Sequence, residues 1–78
     1  MKENDQKIFE IISKYTDLDI SELNQNTSTE NTPEWDSLAH MQILNDLSRI
    51  YSFELKPENI INLNSFLSIR DYLLKFEK

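Results

Sequence analysis

A long run of apolar residues with helical spacing, near the centre of the sequence, constrains this chain most. From Leu38 onward apolar side chains recur every three or four residues, which is the pattern of an α-helix. The members of the run are Leu38, Met41, Ile43, Leu44, Leu47, Ile50 and Tyr51. At 3.6 residues per turn they spread over an arc of about 240°. Neighbours must cover so wide an arc on several sides, which predicts a helical bundle.

Local signals predict where the helices begin and end. Asp36 is a good N-cap residue, so the central helix is predicted over Ser37–Tyr51. Pro57 suits the first turn of a short helix over Pro57–Asn62. An upstream helix is predicted over residues 3–15, and its apolar stripe consists of Ile8, Ile11, Ile12 and Tyr15.

The last helix is predicted from a second capping signal. Ser68 and Asp71 are spaced as a capping box, which would open this helix. Its inward-facing residues are then predicted to be Ile69, Leu73 and Phe76.

A loop of about twenty residues separates the first two predicted helices, which is long for a compact domain. Leu18, Ile20 and Leu23 are predicted to pin its first half to the core, whereas residues 24–32 are polar and expected to be mobile. Because the chain has no Gly, its turns must rely on Asn, Asp, Ser and Pro.

These elements predict an all-α fold, a small four-helix bundle with three main helices, one short helix and a long loop between the first two. The 78 residues are expected to form one domain, over 1–78, and a monomer. A chain of this length buries only somewhat more than ~60% of its unfolded surface, so modest stability is expected. With no Cys, no disulfide can reinforce the fold.

Charge and hydropathy narrow the function. The net charge of −6 argues against nucleic acid and anionic membrane surfaces, and it suits basic partner surfaces. The acidity is concentrated before the central helix, where residues 17–36 carry six acids and no base: Asp17, Asp19, Glu22, Glu30, Glu34 and Asp36. The first residues lack the apolar stretch of a signal peptide and no run is long enough to span a membrane, so a cytoplasmic location is expected.

Two other chemistries fit the sequence poorly. Asp17, Asp19 and Ser21 match the first ligands of a calcium loop, but Glu22 stands where Gly is required and Ser28 where a bidentate Glu is needed. With one His and no Cys, no zinc-ligand spacing is present, so no metal site is predicted.

The spacing of Ser37 and His40 resembles a nucleophile–base pair, but no Gly-rich oxyanion loop accompanies it. We therefore do not expect an enzyme.

The sequence Asp36-Ser37-Leu38 follows the acidic loop and opens the central helix. In this arrangement the chain resembles the acyl and peptidyl carrier proteins, whose Asp-Ser-Leu signature carries 4′-phosphopantetheine on its serine. The resemblance covers essentially the whole chain, since the helix order and the long loop also match. It implies that Ser37 is the attachment site and that Asp36 and Leu38 complete the signature.

The resemblance also implies a set of partners. A phosphopantetheinyl transferase would move the arm from coenzyme A onto Ser37, an activating ligase or transferase would load acyl or aminoacyl cargo as a thioester, and downstream biosynthetic enzymes would act on it. The thiol of the arm would supply the reactive atom that the sequence lacks.

The chain departs from the fatty-acid carriers of this family, which usually have Gly two positions before the signature Asp and several acids along helix two. Here Glu34 takes the place of the Gly, and the polar side of helix two is nearly neutral. That side, the predicted docking face, consists of Gln42, Asn45, Asp46 and Arg49. We therefore expect a free-standing carrier dedicated to a specialised pathway, the alternative being an unmodified helical interaction module.

The apolar residues of helix two are predicted first of all to form the core. A second, weaker expectation is a cargo pocket lined by His40, Met41, Leu44 and Leu47. His40 is expected to be half-buried and bonded to a loop, or else to border the mouth of that pocket. Trp35 is expected to be a structural plug under the acidic loop.

Overall fold

The computed structural model describes residues 3–76, with side chains over residues 4–75. Its four α-helices are α1 (Glu3–Thr16), α2 (Ser37–Tyr51), α3 (Pro57–Asn62) and α4 (Phe66–Leu73), and short 3₁₀ turns lie at Ile20–Glu22 and Leu74–Phe76. The predicted all-α bundle is confirmed, with α2 and α3 at the predicted residues and α1 one residue longer. No helix in the described part of the chain has the length and apolarity needed to cross a bilayer.

The core lies between α1, α2 and α4. Its largest fully buried side chains are Ile8, Ile12, Ile43, Leu44, Leu47, Phe66, Ile69 and Leu73. The predicted inward positions Ile69 and Leu73 are therefore confirmed, while the side chain of Phe76 lies outside the described residues. On α1 the predicted stripe is buried at Ile8, Ile11 and Ile12 and half-buried at Tyr15.

The apolar arc of α2 is narrower than its spacing predicts. Ile43, Leu44 and Leu47 are fully buried, but Leu38 is 69% exposed, Met41 42% and Ile50 50%. At 100° per residue, Leu38 and Ile50 lie at the two edges of the arc, and the fully buried residues lie between them. The core therefore covers the middle of the apolar arc, and its edges face solvent.

The last helix begins earlier than predicted. Ser65, in an extended conformation, is the N-cap of α4, and its hydroxyl accepts a hydrogen bond from the amide of Ser68 at 3.1 Å. Ser68 is therefore the third residue inside the capping box rather than the cap itself. The early start is stabilised by Phe66, which is 1% exposed and stacks on Phe9 with ring centroids 4.2 Å apart.

The composition of residues 24–32 predicted a mobile loop, but this segment is hydrogen-bonded to the residues that join α3 to α4. The amide of Phe66 donates to the carbonyl of Thr27, and the amide of Thr29 donates to that of Asn64, both at 2.9 Å. Ser28 and Ser65 form an isolated antiparallel bridge between these two bonds. Leu23 anchors the first half of the loop, as predicted, at 8% exposure. The loop is thereby fixed against the segment that joins α3 to α4.

Two turns use residues other than Gly in the left-handed region. Asp17 follows α1 with φ 63°, and Ser52 caps the carboxyl end of α2 with φ 57°. Asp and Ser therefore take the positions that Gly usually fills at helix ends, as the absence of Gly requires.

Candidate functional site

Ser37 is the first residue of α2, and its side chain is exposed. Asp36 before it is extended, and its carboxylate accepts a hydrogen bond from the amide of Ala39 at 2.9 Å. This bond satisfies one of the first-turn N–H groups that a helix leaves unpaired. The Ser37 hydroxyl thus stands in solvent beside the positive end of a 15-residue helix.

An open groove of about 420 Å³ adjoins Ser37. It is lined by Thr29, Trp35, Asp36, Ser37, His40, Ile60, Ile61 and Asn64. These residues come from the long loop, the start of α2, α3 and the segment after α3. The loop wall and the wall after α3 are joined by the hydrogen bond from Thr29 to Asn64.

Three large apolar side chains are exposed on the two helices that contribute to the groove, α2 and α3. Ile61 lines it and is 71% exposed, although it is a large aliphatic residue. On α2, Leu38 and Met41 are three residues apart and so lie on one face of the helix, and both are exposed. We call Leu38, Met41 and Ile61 the apolar rim. Between Ser37 and Asn45, α2 carries no charged residue.

His40 and Trp35 are joined beneath this surface. Trp35 is 2% exposed, and its indole Nε1–H donates to Nδ1 of His40 at 3.0 Å. The other ring nitrogen of His40, Nε2, lies 2.7 Å from the carbonyl oxygen of Ile60. Trp35 is the buried plug that was expected. His40 is bonded to the loop through Trp35, as expected, but it is buried rather than half-buried, and it also reaches α3.

The residues predicted for a cargo pocket are not brought together in the groove. His40 lines it, but Leu44 and Leu47 are 0% exposed in the core, and Met41 is exposed on the surface of α2. Because the buried part of α2 is narrower than predicted, Leu44 and Leu47 belong to the close-packed core and Met41 faces solvent.

The residues predicted for docking also differ in their placement. Gln42, Asn45 and Arg49 are exposed, as a docking face requires. The side chain of Asp46, in contrast, is only 13% exposed and faces α1, where it accepts a hydrogen bond from the Tyr15 hydroxyl at 2.7 Å. The prediction of Asp46 as a docking residue is therefore corrected, because its carboxylate is engaged in joining two helices.

The environment of Asp46 lowers the pKa of its carboxyl below the ordinary value of 3.8. The hydrogen bond from Tyr15 is the main cause; partial burial opposes it, and Arg49 at 3.0 Å and Lys14 at 3.6 Å add to the lowering. Asp46 also offsets part of the charge of Arg49.

Sequence reasoning missed four groove residues, Thr29, Ile60, Ile61 and Asn64. One signal could have identified Ile61, because Ile60 and Ile61 are adjacent on a short helix and so point in directions about 100° apart. No comparable signal exists for Thr29 and Asn64, since only the pairing of two distant loops brings them to the groove.

No model of a known protein family matches the chain. A comparison with curated proteins likewise finds none with significant similarity.

Proposed function

We propose that this protein is an acyl or aminoacyl carrier whose Ser37 accepts a 4′-phosphopantetheine arm. The observation that carries the proposal is the exposed Ser37 hydroxyl at the first position of a long helix, beside an open groove and the apolar rim. The Asp-Ser-Leu resemblance and the order of the helices support the same interpretation. In this role the protein is a substrate of enzymes rather than an enzyme.

The local geometry fits a phosphodiester on Ser37. The unpaired N–H groups of the first turn and the positive end of the α2 dipole favour an anion beside this residue. Asp36 directs its carboxylate to the Ala39 amide, so it rigidifies the turn that presents the hydroxyl. Exposure of Ser37 leaves a partner enzyme free access to the oxygen.

Attachment would transfer the phosphopantetheine arm from coenzyme A to Ser37. The Ser37 oxygen bonds to the phosphorus next to pantetheine in coenzyme A, and the phosphoanhydride bond to adenosine 3′,5′-bisphosphate breaks. The hydroxyl proton goes to a base of the transferase. The attached arm would supply a thiol for thioester chemistry with acyl or aminoacyl cargo.

The lack of charge on the surface around Ser37 supports a carrier that binds a dedicated set of partner enzymes. Between Ser37 and Asn45 the helix carries no charge, and its exposed residues include Leu38 and Met41. An uncharged, partly apolar docking surface selects partners by shape and burial more than by long-range attraction. This composition distinguishes the chain from carriers with an acidic helix two.

Intact mass spectrometry tests the proposal directly. The protein is incubated with coenzyme A and a broad-specificity phosphopantetheinyl transferase, and the wild type should gain the mass of one arm. Ser37→Ala should gain none, while Ser21→Ala, which removes another exposed serine, should behave as the wild type. An unmodified wild type, or a modified Ser37→Ala variant, would contradict the proposal.

A helical interaction module that carries no arm is the second candidate, and the exposure of the apolar rim favours it. The same assay separates the two. A wild type that folds but stays unmodified supports the interaction module.

A further inference from the structure

His40 lies close to Ser37 in sequence but is not part of the Asp36-Ser37-Leu38 signature. It lies three residues after Ser37, so it is on the adjoining turn of α2, but its ring is directed inward and is 9% exposed. Both of its ring nitrogens are used, one by Trp35 and the other by the carbonyl of Ile60. His40 therefore joins three segments that surround the groove: the loop before Ser37, α2 and α3.

The partners of His40 determine its tautomer. An indole N–H can only donate, so Nδ1 of His40 must be the unprotonated acceptor of the bond from Trp35. The proton of the neutral ring then lies on Nε2, where it donates to the Ile60 oxygen. The Nδ1–H tautomer does not satisfy both contacts, since a proton on Nδ1 would face the indole N–H.

The carbonyl of Ile60 is one that a short helix leaves without an internal partner. It belongs to the last turn of α3, which ends at Asn62, and the last four carbonyls of an α-helix lack intrahelical donors. His40 thus caps the carboxyl end of α3 from a different helix. The next residue, Ile61, is the most exposed member of the apolar rim and lines the groove beside Ser37.

We propose that His40 is a positioning residue of the Ser37 site: held by Trp35 as the Nε2–H tautomer, it fixes α3 and Ile61 against the start of α2. The transferase then meets a preformed surface. Without the bond to Ile60, α3 would have to be ordered when the transferase binds, and that ordering weakens binding. This inference rests on the proposed function, since it concerns recognition of Ser37 as the modified residue.

Two substitutions separate the contacts of His40. In His40→Gln the side-chain amide nitrogen can reach the position of Nε2 and still donate to Ile60, whereas the shorter side chain of His40→Asn reaches only the position of Nδ1. We expect His40→Asn to raise the KM of the transferase reaction about five- to tenfold with little change in kcat. His40→Gln should stay within about twofold of the wild type.

Ile69→Val serves as the matched control for lost stability, because Ile69 is fully buried on α4 and does not line the groove. It should lower the melting temperature without raising KM. A rise in KM for Ile69→Val equal to that for His40→Asn would attribute the effect to general destabilisation and overturn the inference.

NMR of the unmodified protein gives an independent measurement. The ¹⁵N shifts of the His40 ring should identify the Nε2–H tautomer, and the amide signals of Ile60 and Ile61 should move in His40→Asn more than in His40→Gln. The Nδ1–H tautomer in the wild type, or an unchanged KM for His40→Asn when the wild type is modified, would refute the positioning role alone. A wild type that takes no arm would refute the proposed function, and this inference with it.

Discussion

The hydroxyl of Tyr15 on α1 donates a hydrogen bond to the carboxylate of Asp46 on α2 at 2.7 Å. This bond is the main reason why the pKa of Asp46 lies below its ordinary value of 3.8. A folded-state pKa below that of the unfolded chain stabilises the fold at pH values above the unfolded pKa. The contribution is lost as the pH falls through the folded-state pKa.

Tyr15→Phe should therefore lower the free energy of unfolding by about 1 kcal/mol at neutral pH. This is below the usual range for a bond to a charged group, because the Asp46 carboxylate is still partly exposed to water. The difference from the wild type should shrink as the pH falls below 3.8. Urea unfolding over a pH series measures it. Thr16→Val is the control, since the Thr16 hydroxyl donates to the carbonyl of Ile12, which does not titrate, and its effect should not follow this titration. A pH-independent effect of Tyr15→Phe would contradict the assignment.

Leu44 and Leu47 are fully buried on α2, so truncating either to Ala should lower the free energy of unfolding by about 2–5 kcal/mol. Leu38→Ala removes the same atoms from the same helix at a position that is 69% exposed, and it should change the stability by no more than about 0.5 kcal/mol. Thermal and urea unfolding of the three variants test this contrast. Equal losses for Leu38→Ala and Leu47→Ala would show that α2 is rotated from the position described.

Asp36 and Ser37 should differ in their effects on stability although they are adjacent. Asp36→Ala removes the acceptor of the Ala39 amide and should cost about 1 kcal/mol, whereas Asp36→Asn, which keeps an acceptor, should cost less. Ser37→Ala should leave the melting temperature nearly unchanged, because its side chain is exposed. If Ser37→Ala were as destabilising as Asp36→Ala, loss of modification in that variant would not identify Ser37 as the attachment site.

The start of α4 can be tested with one residue that the structure identifies as its cap and one that the sequence pattern suggested. Ser65→Ala removes the observed N-cap and should lower the free energy of unfolding by about 1 kcal/mol. Asp71, which the sequence pattern places in a capping box with Ser68, is exposed on the helix and its change to Ala should have little effect. If Asp71→Ala proved more destabilising than Ser65→Ala in urea unfolding, the result would indicate that the helix starts at Ser68.

Partner choice should respond to charge on α2. Arg49 is 73% exposed in its side chain and would repel enzymes that present basic residues to an acidic helix two. The double variant Gln42→Glu with Arg49→Glu should raise the apparent affinity of such enzymes, mainly through faster association, and added salt should reduce the gain. Loading rates of the modified wild type and double variant are compared over a salt series. If these enzymes load the wild type as fast as a carrier with an acidic helix two, the proposed dedicated role is contradicted, but the proposed carrier function is not.

The helices with strong local signals were predictable from sequence alone. Asp36 and Pro57 mark the starts of α2 and α3 through the chemistry of their own side chains, and both helices occupy the predicted residues. The burial of Leu44 and Leu47 follows from their central place in the apolar run. The place of Ser37 as the first residue of α2, after the N-cap Asp36, likewise followed from the sequence.

The start of α4 and the surroundings of Ser37 depended on contacts between distant residues. Ser65 and Ser68 are both acceptable caps, and the pairing of the loop at Thr27 with Phe66 selected the earlier one. Leu38 lies on the face of α2 opposite the fully buried Leu47, and only the packing of the bundle shows which side of the apolar arc is covered. The bond from His40 to the Ile60 carbonyl joins residues twenty positions apart, which no local pattern encodes. Sequence determined α2 and α3 because their start signals act within a few residues. The tertiary structure decided the start of α4 and the groove, because both depend on contacts between separate segments.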